Sequence, residues 1–286
     1  MTAASDRPIA VFDSGVGGLT VLHECLVSLP HEDFLYLGDT ARFPYGLRSS
    51  EELRGFSFEL AEMLLDHGAK LVVVACNSAT AAALPVLREH LQGRVGVVGV
   101  VGPESRLAAE VTRSGRVGLL ATPSTVESGA YDRALAAAAP GATLTSVAAP
   151  ALAPLIQAGD EVDERVVGEV ERVCAPLRAA EVDTVILGCT HYPLVRPILQ
   201  RELGRGVEIV SSGAAIAEEV HAELAARGVG RPEGRRGSYR FLCSGHPDAF
   251  RRLGTRFLQL PLGEVRHVEV TPAERLATAL AGTAAA

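Results

Sequence analysis

Short runs of consecutive apolar residues alternate along the chain with longer stretches in which apolar residues recur every three or four positions. Runs that are apolar throughout are typical of parallel strands covered on both faces. The periodic stretches predict helices, as in Ser49–His67, Thr125–Ala138 and Asp163–Ala175. Strands are predicted at Ile9–Phe12, Phe34–Leu37, Leu71–Val74, Val95–Val98, Arg116–Ala121, Thr143–Val147, Thr184–Leu187 and Val207–Val210. The alternation indicates an α/β protein with mainly parallel sheets.

The pattern also carries a weak internal repeat. In Leu71–Thr80 an apolar strand is followed by a small residue, Cys76 and polar residues before a predicted helix. Thr184–Tyr192 repeats this order around Cys189. Any α/β protein repeats strands and helices, but a cysteine at the same place in both copies favours two related halves. We therefore expect two doubly wound domains related by a pseudo-twofold axis, with the active site in the cleft between them.

The composition is that of a folded chain. Of the 286 residues, 48% are hydrophobic and 21% are charged, which excludes a disordered chain. The formal net charge of −7 gives no indication of nucleic acid or a membrane surface as a partner. No apolar run is long enough to span a membrane, and Met1–Pro8 lacks the apolar core of a signal peptide. Five widely spaced cysteines argue against a disulfide framework, so we expect a cytoplasmic protein.

The chain's single lysine, Lys70, excludes two classes of enzyme. Pyridoxal enzymes need a lysine for the Schiff base, and P-loop enzymes need one before Ser or Thr in a glycine-rich loop. Lys70 is in neither context, because it directly precedes the predicted strand Leu71–Val74. It therefore lies at the N-terminal end of that strand, whereas ligands of open α/β sheets bind at the carboxyl ends.

Cys76 and Cys189 carry the strongest chemical signal. Each follows a strand that we expect to be buried, at a predicted helix start, where thiol pKa values fall below about 8.5. A thiolate there can act as a base or a nucleophile, although a lone cysteine can also serve only in packing. For Cys25, Cys174 and Cys243, on predicted helices and a short strand, we favour packing.

An acidic residue and three glycines follow the first strand, in Asp13–Gly18. The segment is similar to a dinucleotide fingerprint, with Asp39 as a candidate ribose ligand. However, Thr20 stands at the third glycine position, and the Asp13 carboxylate would meet the pyrophosphate. We therefore favour an ammonium ligand or a proton relay at Asp13 over NAD.

His191 lies two residues after Cys189, where an imidazole could share a proton with the thiol or with a substrate. An equally good interpretation of its position is a loop histidine whose ring nitrogens are hydrogen-bonded and which has no chemical role. Zinc is not expected at Cys189 and His191, or at Cys243 and His246, because neither pair has a second ligand pair at usable spacing.

Taken together, these segments resemble the glutamate racemases of the aspartate/glutamate racemase family, and the resemblance covers nearly the whole chain. It rests on Phe12–Gly18, Gly38–Ala41, Pro44–Gly46, Ala75–Thr80, Ala121-Thr122 with Thr125-Val126, and Leu187–Leu194. Two cysteine motifs in this order and separation are specific to the family. The resemblance implies a cofactor-independent isomerase that interconverts L- and D-glutamate and supplies D-glutamate for peptidoglycan.

The resemblance also implies roles for individual residues. Cys76 and Cys189 would transfer protons on opposite faces of the α-carbon, with Asp13 tuning Cys76 and His191 acting beside Cys189. No cofactor or metal is implied, and the expected assembly is a homodimer. The residues implied to hold glutamate are Asp13, Ser14, Tyr45, Gly46, Asn77, Ser78, Thr122, Thr190 and His191.

Two further expectations follow from the resemblance. The first domain would combine residues 1–99 with 213–272, the second would span 100–212, and 273–286 would form a tail. The family commonly has a glutamate in the segment that matches Pro154–Gly159, where this chain has Gln157. A neutral amide cannot act as a carboxylate base, so we expect some loss of rate or an altered pH dependence.

Other functions stay open on the sequence alone. A sister racemase acting on aspartate or a hydantoin differs only in its substrate, which an assay would identify. An NAD-dependent oxidoreductase would bind its cofactor detectably despite Thr20. A binding protein that closes on an amino acid without chemistry would leave the paired cysteines unexplained.

Overall fold

The computed structural model describes residues 3–159 and 162–270. The strands are β1 (Ile9–Asp13), β2 (Phe34–Gly38), β3 (Leu71–Val74), β4 (Gly96–Gly99), β5 (Arg116–Ala121), β6 (Thr143–Ala148), β7 (Thr184–Gly188), β8 (Glu208–Val210), β9 (Tyr239–Cys243) and β10 (Val265–His267). The α-helices are α1 (Leu19–Ser28), α2 (Ser50–Asp66), α3 (Asn77–His90), α4 (Val101–Val111), α5 (Pro123–Glu127), α6 (Ala130–Ala138), α7 (Leu152–Ala158), α8 (Glu164–Ala179), α9 (Arg196–Leu203), α10 (Gly213–Arg227) and α11 (Pro247–Leu258).

The strands form two sheets, in the orders β10-β9-β2-β1-β3-β4 and β6-β5-β7-β8. Every strand pair in both sheets is parallel, which confirms the predicted α/β class. In each sheet, four strands that are successive in the chain take the spatial order second, first, third, fourth. This order has a topological switch point between its first and third strands, where open α/β sheets bind ligands. The two halves therefore carry equivalent switch points, at β1/β3 and at β5/β7.

The centre of the first sheet, formed by β1, β2 and β3, is buried on both faces. All residues of β1, β2 and β3 are buried, and alternate residues of β1 pack on opposite sides. Val11 packs in a core with α1 and α10, whereas Phe12 packs in a second core with α2 and α3. Continuous apolar runs in the sequence follow directly from this double covering.

Two predicted elements differ from the structure. The helix predicted over Thr125–Ala138 is two helices, α5 and α6, because Gly129 has φ 62° and a left-handed residue cannot continue an α-helix. The helix expected directly after Cys189 is also wrong. A 3₁₀ turn at Tyr192–Val195 follows, and α9 begins only at Arg196, because Pro197 is tolerated only in the first turn of a helix.

Lys70 lies at the N-terminal end of β3, as predicted, and is 5% exposed. Its Nζ is 2.5 Å from Glu32 Oε2 and donates to the Ser5 carbonyl at 2.8 Å. The second Glu32 oxygen accepts from the Arg231 backbone N–H at 2.8 Å. The only lysine of the chain therefore ties the N-terminal edge of the first sheet together and takes no part in the opposite edge.

The division of the chain between the sheets supports the predicted domains. Strands of the first sheet come from residues 9–99 and 239–267, and those of the second from 116–210. We keep 1–99 plus 213–272 and 100–212 as a proposal, while the predicted tail, 273–286, lies outside the described residues. Among the helices that the structure describes, none combines the length and the hydropathy needed to cross a membrane.

Candidate active site

A narrow cavity with a volume of about 30 Å³ lies where loops from the carboxyl ends of both sheets meet. The loops after β1, β2 and β3 line it from one sheet, and those after β5, β6 and β7 from the other. Ten of the eleven residues singled out from the sequence line it: Ser14, Tyr45, Gly46, Cys76, Asn77, Ser78, Thr122, Cys189, Thr190 and His191. The eleventh, Asp13, is fully buried at the end of β1.

The two thiols occupy equivalent positions in the two sheets. Cys76 comes two residues after β3, beside the end of β1, and it is the N-cap of α3. Cys189 directly follows β7, beside the end of β5. Each is therefore at the switch point of its own sheet, with 5% and 8% of its surface exposed.

The Cys76 thiol lies beside an acidic group. Asp13 is held by the Gly15 N–H, which donates to Oδ2 at 3.0 Å, and by the Thr190 hydroxyl, which donates to Oδ1 at 3.4 Å. Burial raises the pKa of Asp13 above its usual value. Burial also raises the pKa of Cys76 to about 12, the Asp13 charge adds to the rise, and the Ser14 hydroxyl opposes it. Asp13 is therefore a candidate proton acceptor for Cys76, because burial increases its own proton affinity.

The Cys189 thiol lies beside a neutral ring. Its Sγ is 4.0 Å from His191 Nδ1, and His191 Nε2 is 2.9 Å from Gln157 Oε1. Because an amide oxygen only accepts, Nε2 carries the proton and the Nδ1 lone pair faces the thiol. Burial lowers the pKa of His191 to about 3, so the ring is uncharged at neutral pH. The rings of Phe43 and Phe257 lie 5.4 and 5.1 Å from it, centroid to centroid.

The expectation that both thiol pKa values are lowered is wrong for the free protein. Burial raises the pKa of Cys76 to about 12 and that of Cys189 above its usual value, although the Ala79 N–H at the start of α3 and the His191 N–H oppose the rise. Desolvation disfavours the charged thiolate more than these N–H groups favour it. At neutral pH both groups are therefore thiols, which cost little to bury.

The two halves approach each other closely around the cavity. The hydroxyls of Ser78, Thr122 and Thr125 form a triangle with sides of 2.8, 3.0 and 3.1 Å. A Cβ on Gly46 would lie 2.5 Å from the Thr122 Cβ, and one on Gly17 would lie 2.3 Å from the Thr190 hydroxyl oxygen. Glycine is therefore required at both contacts, because any side chain would push the halves apart.

Asp39, the candidate ribose ligand, is engaged elsewhere. It is fully buried, accepts from Arg42 Nε and Ser244 Oγ at 2.6 Å each, and also accepts from the Tyr45 hydroxyl. These bonds position the loop that carries Tyr45 into the cavity. The carboxylate cannot also hold a ribose, which argues against the NAD interpretation.

Asn77, which the sequence analysis predicted, forms a buried network with Glu104 and Tyr131, which it did not predict. Asn77 Nδ2 donates to Tyr131 Oη at 2.7 Å and to Glu104 Oε2 at 3.1 Å, and the Tyr131 hydroxyl donates to Glu104. Burial raises the pKa of Glu104 to about 7. The sequence contains a weak signal that Glu104 is buried. It lies three positions after Val101 and four before Ala108, which places it on the buried face of α4.

The cavity offers neutral donors and acceptors. None of the described residues that line it is arginine or lysine, and His191 is uncharged. An anionic ligand would therefore be held by hydroxyls and by backbone N–H groups such as those at the start of α3. No group of three or more His, Cys, Asp or Glu side chains within residues 3–159 and 162–270 could hold a metal ion.

The family model for Asp/Glu/Hydantoin racemase matches residues 21–220, a range that contains both cavity thiols. The chain belongs to the Asp/Glu/hydantoin racemase family. The prediction of an isomerase of the racemase type is therefore confirmed.

Relatives of this racemase match along nearly the whole chain. A glutamate racemase from Parafrankia sp. is 46% identical over 270 residues, covering 94% of this chain and 96% of the relative. A solved glutamate racemase isoform from Bacillus anthracis has 37% identity and a TM-score of 0.87, covering 93% of this chain and 98% of its own. One from Francisella tularensis, in complex with D-glutamate, has 28% identity and a TM-score of 0.85, with the same coverage.

Proposed function

We propose that this racemase interconverts L- and D-glutamate without a cofactor, using Cys76 and Cys189 as two bases on opposite faces of the α-carbon. The observation that carries the proposal is that two buried thiols at equivalent switch points line one cavity. Racemisation removes the α-proton from one face and returns a proton to the other. Two fixed acid–base groups do this without either having to move around the carbon.

Glutamate is the proposed substrate because of the chain's relatives. Those at 41–46% identity are named glutamate racemases, and the neighbour from Francisella tularensis was solved with D-glutamate. In this chain, Ser14, Thr190 and the N–H groups of Asn77 and Ser78 are donors suited to two carboxylates. Tyr45, Gly46, Thr122, Asp13 and His191 complete the proposed binding site.

The thiols act in turn as base and acid. For catalysis from the Cys76 side, the Asp13 carboxylate accepts the Cys76 proton, the thiolate removes the α-proton, and the Cys189 thiol donates its proton to the opposite face. The reverse direction retraces these steps: the Cys189 thiolate removes the α-proton, the Cys76 thiol donates its proton to the opposite face, and Asp13 returns a proton to Cys76, while the neutral His191 ring stays beside Cys189. The carbanion formed between these steps is stabilised by preorganised hydrogen bonds in a cavity with little water.

The remaining parts of the proposal concern the cell. D-glutamate made by this enzyme would enter peptidoglycan, as the family resemblance implies. We propose a cytoplasmic location because the five cysteines are widely spaced in the sequence and are free thiols in the structure. The homodimer stays a prediction.

Proton NMR in D₂O tests the proposal directly. Purified protein with L-glutamate and no added cofactor is expected to replace the α-proton with deuterium while D-glutamate accumulates. The first D-glutamate formed is expected to carry deuterium while the remaining L-glutamate still carries protium, because separate groups serve the two faces. If glutamate is unchanged and aspartate is racemised, the substrate assignment is wrong. If both are unchanged, the racemase function itself is wrong.

A further inference from the structure

The amide of Asn77 is held in one of its two orientations. Both N–H bonds of Nδ2 are used, one toward Tyr131 Oη at 2.7 Å and one toward Glu104 Oε2 at 3.1 Å. Above a pH of about 7, where Glu104 is ionised, a reversed amide would place its oxygen against carboxylate oxygens that only accept. Glu104 and Tyr131 are fully buried, so water cannot take over their role.

This orientation leaves the other end of the amide without a partner. Asn77 lines the cavity and is 2% exposed, and its Oδ1 has no hydrogen-bond partner within the described part of the chain. A buried polar oxygen without a partner costs about 1–3 kcal/mol, which a ligand with N–H donors would recover. Because Nδ2 is already engaged, Oδ1 is the atom that Asn77 presents to a ligand.

We propose that Glu104 and Tyr131 are positioning residues that hold the Asn77 oxygen ready to accept a hydrogen bond from the α-ammonium group of the substrate. The inference rests on the proposed function for the identity of that substrate. An ammonium group donates three hydrogen bonds and accepts none, so it is complementary to Oδ1 and not to a reversed amide. Asn77 also directly follows Cys76, so this contact would place the α-carbon next to that thiol.

The test compares two ligands that differ in the ammonium group alone. L-glutamate carries it, whereas glutarate has the same two carboxylates without it. Glu104→Leu is expected to raise KM for glutamate about tenfold, and Tyr131→Phe about threefold, through the weakened hydrogen bond to a charged group. The inhibition constant of glutarate is expected to change less than about twofold in both variants.

Two further variants serve as references. Glu104→Gln keeps an acceptor oxygen at the same place and is expected to restore most of the glutamate affinity lost in Glu104→Leu. Ser105→Ala removes a neighbouring buried hydroxyl of α4, whose bond goes to the Val101 carbonyl at 2.8 Å, and is expected to leave both constants unchanged.

If glutamate and glutarate binding are weakened by the same factor, the inference is overturned, because a general disturbance of the cavity affects both ligands. Unchanged constants in both variants would overturn it as well. If Glu104→Leu does not fold, Tyr131→Phe decides, since it removes one hydroxyl and keeps the ring. Absence of turnover by the native protein would instead overturn the proposed function, and calorimetric binding of the two ligands would then still decide the role of Glu104.

Discussion

The surroundings of Cys76 and Cys189 are alike in geometry and different in charge. Both thiols follow the third strand of a four-strand unit with the same order, and both are buried in one cavity. Cys76, however, has the Asp13 carboxyl beside it, whereas Cys189 has a neutral imidazole held by an amide. The fold thus duplicates the position of the acid–base group without duplicating its electrostatics.

The equal free energies of L- and D-glutamate limit what this difference can do. In every variant, kcat/KM must stay the same in the two directions, however unequal the two thiols are. The difference is expressed instead in kcat and KM taken separately, in pH dependence and in stability. Measured in suitable variants, these quantities distinguish the Cys76 side from the Cys189 side.

The largest expected effect comes from the thiols themselves. Cys76→Ser and Cys189→Ser should each lower kcat/KM about 10³-fold, because a hydroxyl is too weak an acid and base to replace a thiol. The measurement is circular dichroism of the glutamate pool from both enantiomers. Cys243→Ser is the control, since its hydroxyl can still donate to the Gly245 carbonyl as the thiol does. Substantial activity in either thiol variant would contradict the two-base mechanism.

The neighbours of the thiols should have unequal effects. Asp13→Asn removes the group that accepts the Cys76 proton and should lower kcat/KM about 10²-fold. His191→Asn removes a ring whose pKa is already lowered to about 3, so the expected loss is smaller, about tenfold. Steady-state kinetics of both variants, in both directions, measures the difference. An equal or larger loss in His191→Asn would show that the Cys189 side depends on charge as well.

Gln157→Glu tests whether the neutral amide sets the charge of His191. A carboxylate 2.9 Å from Nε2 would stabilise the imidazolium and should raise the pKa of His191 by about 1–3 units from its value of about 3. NMR titration of the imidazole nitrogens measures the shift. The same exchange at exposed Gln92 is the control. An unchanged pKa would mean that burial alone determines the charge of the ring.

The smallest expected effect is on stability, where His191 and Glu104, two buried groups near the cavity, have opposite pH dependence. The pKa of His191 is lowered from 6.5 to about 3, so its stabilising contribution is present above pH 6.5 and is lost as the pH falls toward 3. The pKa of Glu104 is raised from 4.5 to about 7, so its contribution is present below pH 4.5 and is lost as the pH rises through 7. Between pH 4.5 and 6.5 the two contributions oppose each other.

Removing either Glu104 or His191 should reveal the pH dependence of stability that the other group contributes. Relative to the native protein, Glu104→Gln should gain about 1–2 kcal/mol of unfolding free energy as the pH rises over this range, and His191→Asn should lose a similar amount. Urea denaturation at several pH values measures both. Equal slopes in the two variants would contradict the opposite pKa shifts of Glu104 and His191.

The sequence is most informative where structure depends on neighbouring residues. The strand, cysteine and polar order around Cys76 and Cys189 is local, and parallel pairing then brings the ends of the strands to one edge of each sheet. The break between α5 and α6 depends on the single glycine Gly129, which a periodic pattern does not mark.

Properties that depend on the packing of distant segments were not predictable. The direction of the thiol pKa shifts is set by burial in the folded protein, which outweighs the local effect of a helix start. Asn77 contacts Glu104 and Tyr131, which are 27 and 54 positions away on other helices. The partner of Gln157 was equally hidden, because α7 and the residues after β7 meet only in the folded chain.

The burial of Lys70 has a practical consequence. A protease that cleaves only after lysine has one possible site in the 286 residues, and folding hides that site in the pair with Glu32. Cleavage therefore requires that the N-terminal edge of the first sheet opens, and it yields two fragments, 1–70 and 71–286. When opening and closing are fast relative to cleavage, the rate of digestion reports the population of the open form. The rate at which the full-length band disappears from a gel is thus a direct measure of how often this part of the protein opens.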